Sequence, residues 1–207
     1  MRPLFALLLT AVTIALPACA DKSDADQAPQ PAAETRMQRE LRYPLTPSTP
    51  NGDTVLVLQS GYPAERIKAT AMGPGALMSS YQGLQIVLEV PDQAEQVRLM
   101  VPATQLGAAW TGTHPFYLYS INQLGAGGAY LVGPAVARPL IDTYFSALGS
   151  GSVTISKYDA RARQVSGSFV LRQISVSDPG ALAGLPEPLR KKCTVAVTGT
   201  FVNLPVQ

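Results

Sequence analysis

Ser152-Val153-Thr154-Ile155-Ser156-Lys157-Tyr158, then Asp159-Ala160-Arg161-Ala162-Arg163, then Gln164-Val165-Ser166-Gly167-Ser168-Phe169-Val170-Leu171-Arg172 is the stretch that decides the fold. Val153 and Ile155 recur with period two, as do Val165, Gly167, Phe169 and Leu171 on the returning segment. Strict alternation of this kind puts one row of side chains on each face of a β-strand. The five residues between the two runs are polar or small, and Asp159 opens them with a side chain suited to bonding the backbone ahead of it. The reading is an antiparallel hairpin. Thr194-Val195-Ala196-Val197-Thr198-Gly199-Thr200-Phe201-Val202 repeats the grammar as a closing strand. Gly167 and Gly199 each stand two residues before a Phe, and a Gly inside a strand often marks a bulge or bend that lets a sheet curl.

Working outward, Leu84-Gln85-Ile86-Val87-Leu88-Glu89-Val90 and Gln96-Val97-Arg98-Leu99-Met100-Val101 alternate in the same way and end at Pro91 and Pro102. The polar link Asp92-Gln93-Ala94-Glu95 makes them a second hairpin. Val55-Leu56-Val57-Leu58, the aromatic run from Phe116 to Ile121, and Ala129-Tyr130-Leu131-Val132 add further short strands. The stretch 138–148 is ambiguous: Leu140, Ile141, Tyr144, Phe145 and Leu148 fall on one helical face, while Thr143-Tyr144-Phe145 also suits a strand, and the reading leans to a short helix or irregular crossover. Many short antiparallel strands define a mainly β fold, an antiparallel β-barrel or β-sandwich with at most one short helix. It follows a signal peptide and a disordered tether.

The chain has 207 residues, 46% hydrophobic and 14% charged, with a formal net charge of +2. That length fits one domain with extensions. The apolar content excludes disorder for most of the chain, and the near-neutral balance argues against a nucleic-acid partner. One His and two Cys exclude His-rich metal sites and a disulfide scaffold.

Met1-Arg2-Pro3 precedes an apolar run from Leu4 to Leu16, the size of a signal-peptide core and too short to span a bilayer. Leu16-Pro17-Ala18-Cys19 follows. This resembles the lipobox of bacterial lipoproteins, with Pro17 where a small residue is usual. The resemblance implies that residues 1–18 are removed and that Cys19 is lipidated, giving a membrane partner. Ala20, where such proteins carry Asp for inner-membrane retention, implies an outer-membrane destination facing the periplasm. Residues 19–52 read as a lipidated Cys and a Pro-, Ala- and Asp-rich tether, with 36–42 a frayed helical turn and Pro44, Pro47 and Pro50 keeping the chain extended. Residues 53–207 read as a single antiparallel β domain. Cys193, in an apolar run, reads as buried.

The hairpin and closing strand, Gly151 to Asp159, Val165 to Phe169 and Val197 to Phe201, resemble uncharacterised families of bacterial β-rich lipoproteins. The resemblance covers about the last sixty residues and implies fold and location, with no site residues.

Chemistry is sparse. A Ser-His-Asp set must use His114, yet no Gly-x-Ser-x-Gly elbow is present. One His and one mature thiol lack zinc spacing, and no P-loop Lys follows the Gly-rich segments. Glu89, mid-strand between Leu88 and Val90, reads as solvent-facing rather than as half of a glycosidase pair. The reading is therefore a non-enzyme with no metal and no cofactor. The most suggestive surface is aromatic: Trp110, His114, Tyr117 and Tyr119 fall within ten residues, and such rings stack on sugars or apolar partners. The expectation is a binding or structural module with a periplasmic protein or glycan partner. The competing expectation is an inhibitor or immunity protein that occludes a toxic envelope enzyme with a loop such as 178–188 or 107–113.

Overall fold

The computed structural model describes residues 33–44, 55–73, 83–116, 125–133, 138–143, 146–177 and 192–207. Residues 1–18, read above as a signal, Cys19, the stretch 20–52 read as a tether apart from 33–44, residues 117–121 with Tyr117 and Tyr119, and the loop 178–188 lie outside the described residues. The described strands are β1 (Glu34–Pro44), β2 (Val55–Tyr62), β3 (Lys68–Met72), β4 (Gly83–Val90), β5 (Glu95–Pro102), β6 (Gly112–Pro115), β7 (Gly127–Val132), β8 (Arg138–Asp142), β9 (Gly149–Asp159), β10 (Gln164–Ser177) and β11 (Lys192–Pro205). One four-residue helix, α1 (Ala103–Leu106), joins β5 to β6, and short 3-10 turns span Ala64–Arg66 and Pro91–Gln93. The described residues belong to one unit, Ala32–Gln207.

Two antiparallel sheets result. One has six strands in the order β2-β1-β11-β10-β9-β6, the other five in the order β3-β4-β5-β7-β8. Of the two architectures open from sequence, the sheets make a sandwich. Isolated bridges tie their edges, Ala71 to Val206 and Phe116 to Ala126.

The alternating rows meet between the sheets. Leu84, Ile86, Leu88 and Val90 of β4 and Val97, Leu99 and Val101 of β5 are buried on one side. Val153, Ile155, Val165, Phe169, Leu171, Val195, Val197 and Phe201 face them from the other. Burying each such side chain contributes about 1.5–3 kcal/mol. Both expected hairpins form, β4–β5 and β9–β10. Asp159 accepts the N–H of Arg161 at 3.0 Å and of Ala162 at 2.9 Å, which closes the second turn. Cys193 is buried in β11.

Two elements differ from the sequence reading. Residues 36–42 are not a frayed helical turn in a tether but the middle of β1, which pairs with β11 on one side and β2 on the other. The β domain thus starts near residue 34 rather than at 53. The row Thr35, Met37, Arg39, Leu41, Tyr43 faces inward, but two of its five members are polar, which weakens the period-two signal. In 138–148, Arg138–Asp142 is the strand β8, paired with β7. Leu140 and Ile141 are both buried, so the apolar pair imitates a helical face.

The glycines also do more than bend. The ladder shifts register between Ser166 and Gly167, where Asn203 of β11 takes φ 52° and its N–H bonds Ser166 Oγ at 2.9 Å. Gly199 lies in regular pairing, directly across from Phe169.

Candidate functional site

The central strands of the six-stranded sheet carry short side chains on their outward rows. The registers of β1, β11, β10, β9 and β6 align one residue from each into a single rung: Arg36, Thr200, Ser168, Thr154 and Thr113. Thr113 Oγ1 and Thr154 Oγ1 lie 3.0 Å apart and share a hydrogen bond. The neighbouring rung runs Gly61, Gln38, Thr198, Val170 and Ser152. Strands stand about 4.8 Å apart, so the Cα atoms of a rung repeat near that interval.

Small residues on β10 and β11 leave a trough. Arg36 and Gln38 border it on β1, and the 3-10 turn Ala64–Arg66 stands beside it. The groove has a volume of about 900 Å³ and takes in Ser168, Val170, Thr198 and Thr200. Arg36 is exposed and held by Glu34 at 2.6 Å. Val170 is 46% exposed and gives the groove an apolar spot among hydroxyls. The arrangement offers hydrogen-bond donors and acceptors in a repeating row, one cation, and a flat apolar contact.

A second polar cluster lies between the sheets. Arg39, in the inward row of β1, forms an ion pair with Glu95 at the start of β5. Tyr130 Oη donates to Glu95 Oε2 at 2.7 Å and accepts from Arg39 Nη1 at 3.2 Å. Arg39 Nη2 also donates to Ser60 Oγ at 3.4 Å. Burial, reinforced by the Glu95 charge, pushes the Tyr130 phenol well above its ordinary range, and the same two causes raise Tyr62. Tyr130 therefore stays protonated and donates. The cluster links β1 and β2 of one sheet to β5 and β7 of the other.

The residues singled out from sequence fall apart in space. Trp110 sits before β6 at φ 56°, half-buried, its ring stacked on Tyr158 with centroids 4.1 Å apart and planes 16° from parallel. His114 points inward from β6 opposite Val153, only 7% exposed, with no hydrogen-bond partner on Nε2. Burial holds its imidazole below the usual histidine range. Its Nε2 is shielded from solvent. Tyr117 and Tyr119 lie outside the described residues. Glu89 is on the outward row of β4 and accepts from Gln96.

Sequence reasoning passed over the hydroxyl rung and the Arg39–Glu95 pair. Thr154, Ser168 and Thr200 do sit on outward rows of three legible strands, but only the register aligns them. Glu95 looked like part of a turn because three polar residues and Ala94 run together at 92–95.

Among the described residues no group of three or more His, Cys, Asp or Glu is placed to hold a metal. No helix among them is long and apolar enough to cross a membrane. No family model matches the chain, and no curated protein or solved structure shows significant similarity to it.

Proposed function

We propose that the protein is a lipid-anchored envelope protein whose sandwich binds a glycan strand across the outer face of the six-stranded sheet, without converting it. The observation that carries this reading is the rung Arg36, Thr200, Ser168, Thr154 and Thr113. A row of hydroxyl-bearing residues on strands about 4.8 Å apart suits a polymer that itself presents hydroxyls at regular spacing. Val170 supplies the apolar contact that the carbon face of a sugar takes, and Gln38 and Arg36 supply donors at the border. Specific sites of this kind combine an apolar surface with a few placed polar groups.

The anchor is supported by Leu16-Pro17-Ala18-Cys19 at the end of an apolar run, and the outer-membrane destination by Ala20. Several acyl chains hold durably where one does not. Two measurements test the reading. Labelling with radioactive palmitate marks the wild-type protein, and Cys19→Ala abolishes the label; a labelled, membrane-bound mutant overturns the anchor. Co-sedimentation with insoluble envelope glycan retains the wild-type domain, and Ser168→Lys with Thr200→Lys releases it. Equal retention of both overturns the glycan surface.

A further inference from the structure

We infer that the β9–β10 turn end of the sandwich is a membrane-contacting surface that engages anionic phospholipid headgroups. The direction assigned to it rests on the lipid anchor at Cys19 proposed above.

The chain enters the β domain at β1. Glu34, the first residue of β1, pairs with Val202 of β11. Three residues further along β11, about 10 Å, Pro205 pairs with Gln164 at the foot of the β9–β10 turn. Gln164 pairs on its other side with Asp159, and the Val206 N–H bonds the Arg163 carbonyl at 2.8 Å. The root of the N-terminal segment and the 160–163 turn therefore share one end of the six-stranded sheet. Fourteen residues separate Cys19 from Glu34. Even fully extended they reach no more than about 50 Å. The chain leading from an anchor at Cys19 enters the domain at this end of the sheet.

That end has the side chains for the contact. Lys157, Arg161 and Arg163 are all exposed. With Arg36 they outnumber the carboxylates of the same end, Asp159 and Glu34, and Glu34 is already engaged by Arg36. Asp159 is turned to the backbone of its own turn. Elsewhere Arg42, Arg66 and Arg39 are each matched by a carboxylate, Glu40, Asp92 and Glu95, and the exposed Lys68, Arg98 and Arg172 stand on three different strands, β3, β5 and β10. Tyr158, next to Lys157, carries Trp110 stacked on its ring. Both rings are half-buried. Amphipathic rings with one wet and one apolar side suit the headgroup layer, and each basic side chain near an anionic lipid surface adds attraction.

The test uses the unlipidated chain 20–207. Every described core residue lies between Met37 and Val206, so this segment keeps the core. Trp110 is the sole Trp and serves as the probe. Its fluorescence is followed on titration with vesicles of phosphatidylglycerol and brominated phosphatidylcholine. Quenching is expected with these vesicles, weaker at high salt, and absent with brominated phosphatidylcholine alone. Lys157→Gln, Arg161→Gln and Arg163→Asn together should weaken partitioning about tenfold or more, while the charge-matched set Lys68→Gln, Arg98→Gln and Arg172→Gln changes it less than about twofold. Circular dichroism confirms that both variants are folded. Absence of quenching with anionic vesicles, equal quenching by neutral ones, or equal loss in the two variants overturns the inference. Because no lipid is attached, these outcomes are independent of palmitate labelling at Cys19.

Discussion

Phe169 and Gly199 face each other across the β10–β11 ladder, and the ring of Phe169 fills the space that a side chain on Gly199 would need. A Cβ there would stand 2.5 Å from Phe169 Cε1 and 2.5 Å from the Arg36 carbonyl oxygen. The relation is repeated two pairs away: Gly167 is opposite Phe201, and a Cβ on Gly167 would stand 2.8 Å from Phe201 Cζ. Each ring lies over the glycine of the other strand, so two large side chains fit side by side in a thin core. Gly199→Ala should cost about 1–3 kcal/mol by overpacking, and Phe169→Ala about 3–5 kcal/mol by leaving a cavity. The double variant Phe169→Leu with Gly199→Ala should lose less than the sum of its single changes, since the two residues share one volume. Urea unfolding of wild type, Gly199→Ala, Phe169→Leu and the double variant reads this directly. Strict additivity would show that the ring and the glycine do not compete for space.

The Arg39–Glu95 pair crosses from one sheet to the other with side chains 17% and 3% exposed. Removing one partner leaves a buried charge. Glu95→Leu alone should destabilise by about 3–5 kcal/mol, and Arg39→Met with Glu95→Leu should recover most of that loss. A double variant as unstable as the single one would mean that the pair contributes more than its own desolvation.

His114 should make stability fall with acid. Its imidazole is buried and held below the ordinary histidine value, so near the ordinary value the unfolded chain takes up a proton that the folded protein refuses. The unfolded state then binds more protons, and stability is lost as pH drops from above the unfolded pKa through the folded one. The slope from this single site is at most about 1.4 kcal/mol per pH unit. His114→Phe should flatten the urea midpoint between pH 5 and 7 (about the range spanning the free histidine value). An unchanged profile in the variant would place the pH dependence elsewhere.

Trp110 carries two opposing contributions. Its stack on Tyr158 stabilises, and its φ of 56° is a left-handed conformation that a residue with a Cβ adopts at a cost of about 1–2 kcal/mol. Trp110→Ala loses the stack and keeps the strained backbone. Trp110→Gly loses the stack but relieves the strain. The Gly variant should therefore be the more stable of the two by about 1 kcal/mol, as read from thermal midpoints. The reverse order would show that the backbone at 110 relaxes once the ring is gone.

The hairpins β4–β5 and β9–β10, the closing strand β11 and the turn at Asp159 were legible in the sequence, because alternation and turn chemistry act between residues near in the chain. So was the burial of Cys193 among Val195 and Val197. The strand β1 was hidden, because its inward row includes Thr35 and Arg39. Arg39 is accommodated there by Glu95 and Tyr130, which meet it from the opposite sheet. The hydroxyl rung was hidden for a related reason. Thr113, Thr154, Ser168, Thr200 and Arg36 are spread over most of the chain, and only the registers of four strand pairs align them. Side-chain parity along one strand is a local property set by backbone geometry. The order of strands, their register and the partner waiting across the core are set by packing between distant segments, and those decided where the charges, the aromatic rings and the groove came to lie.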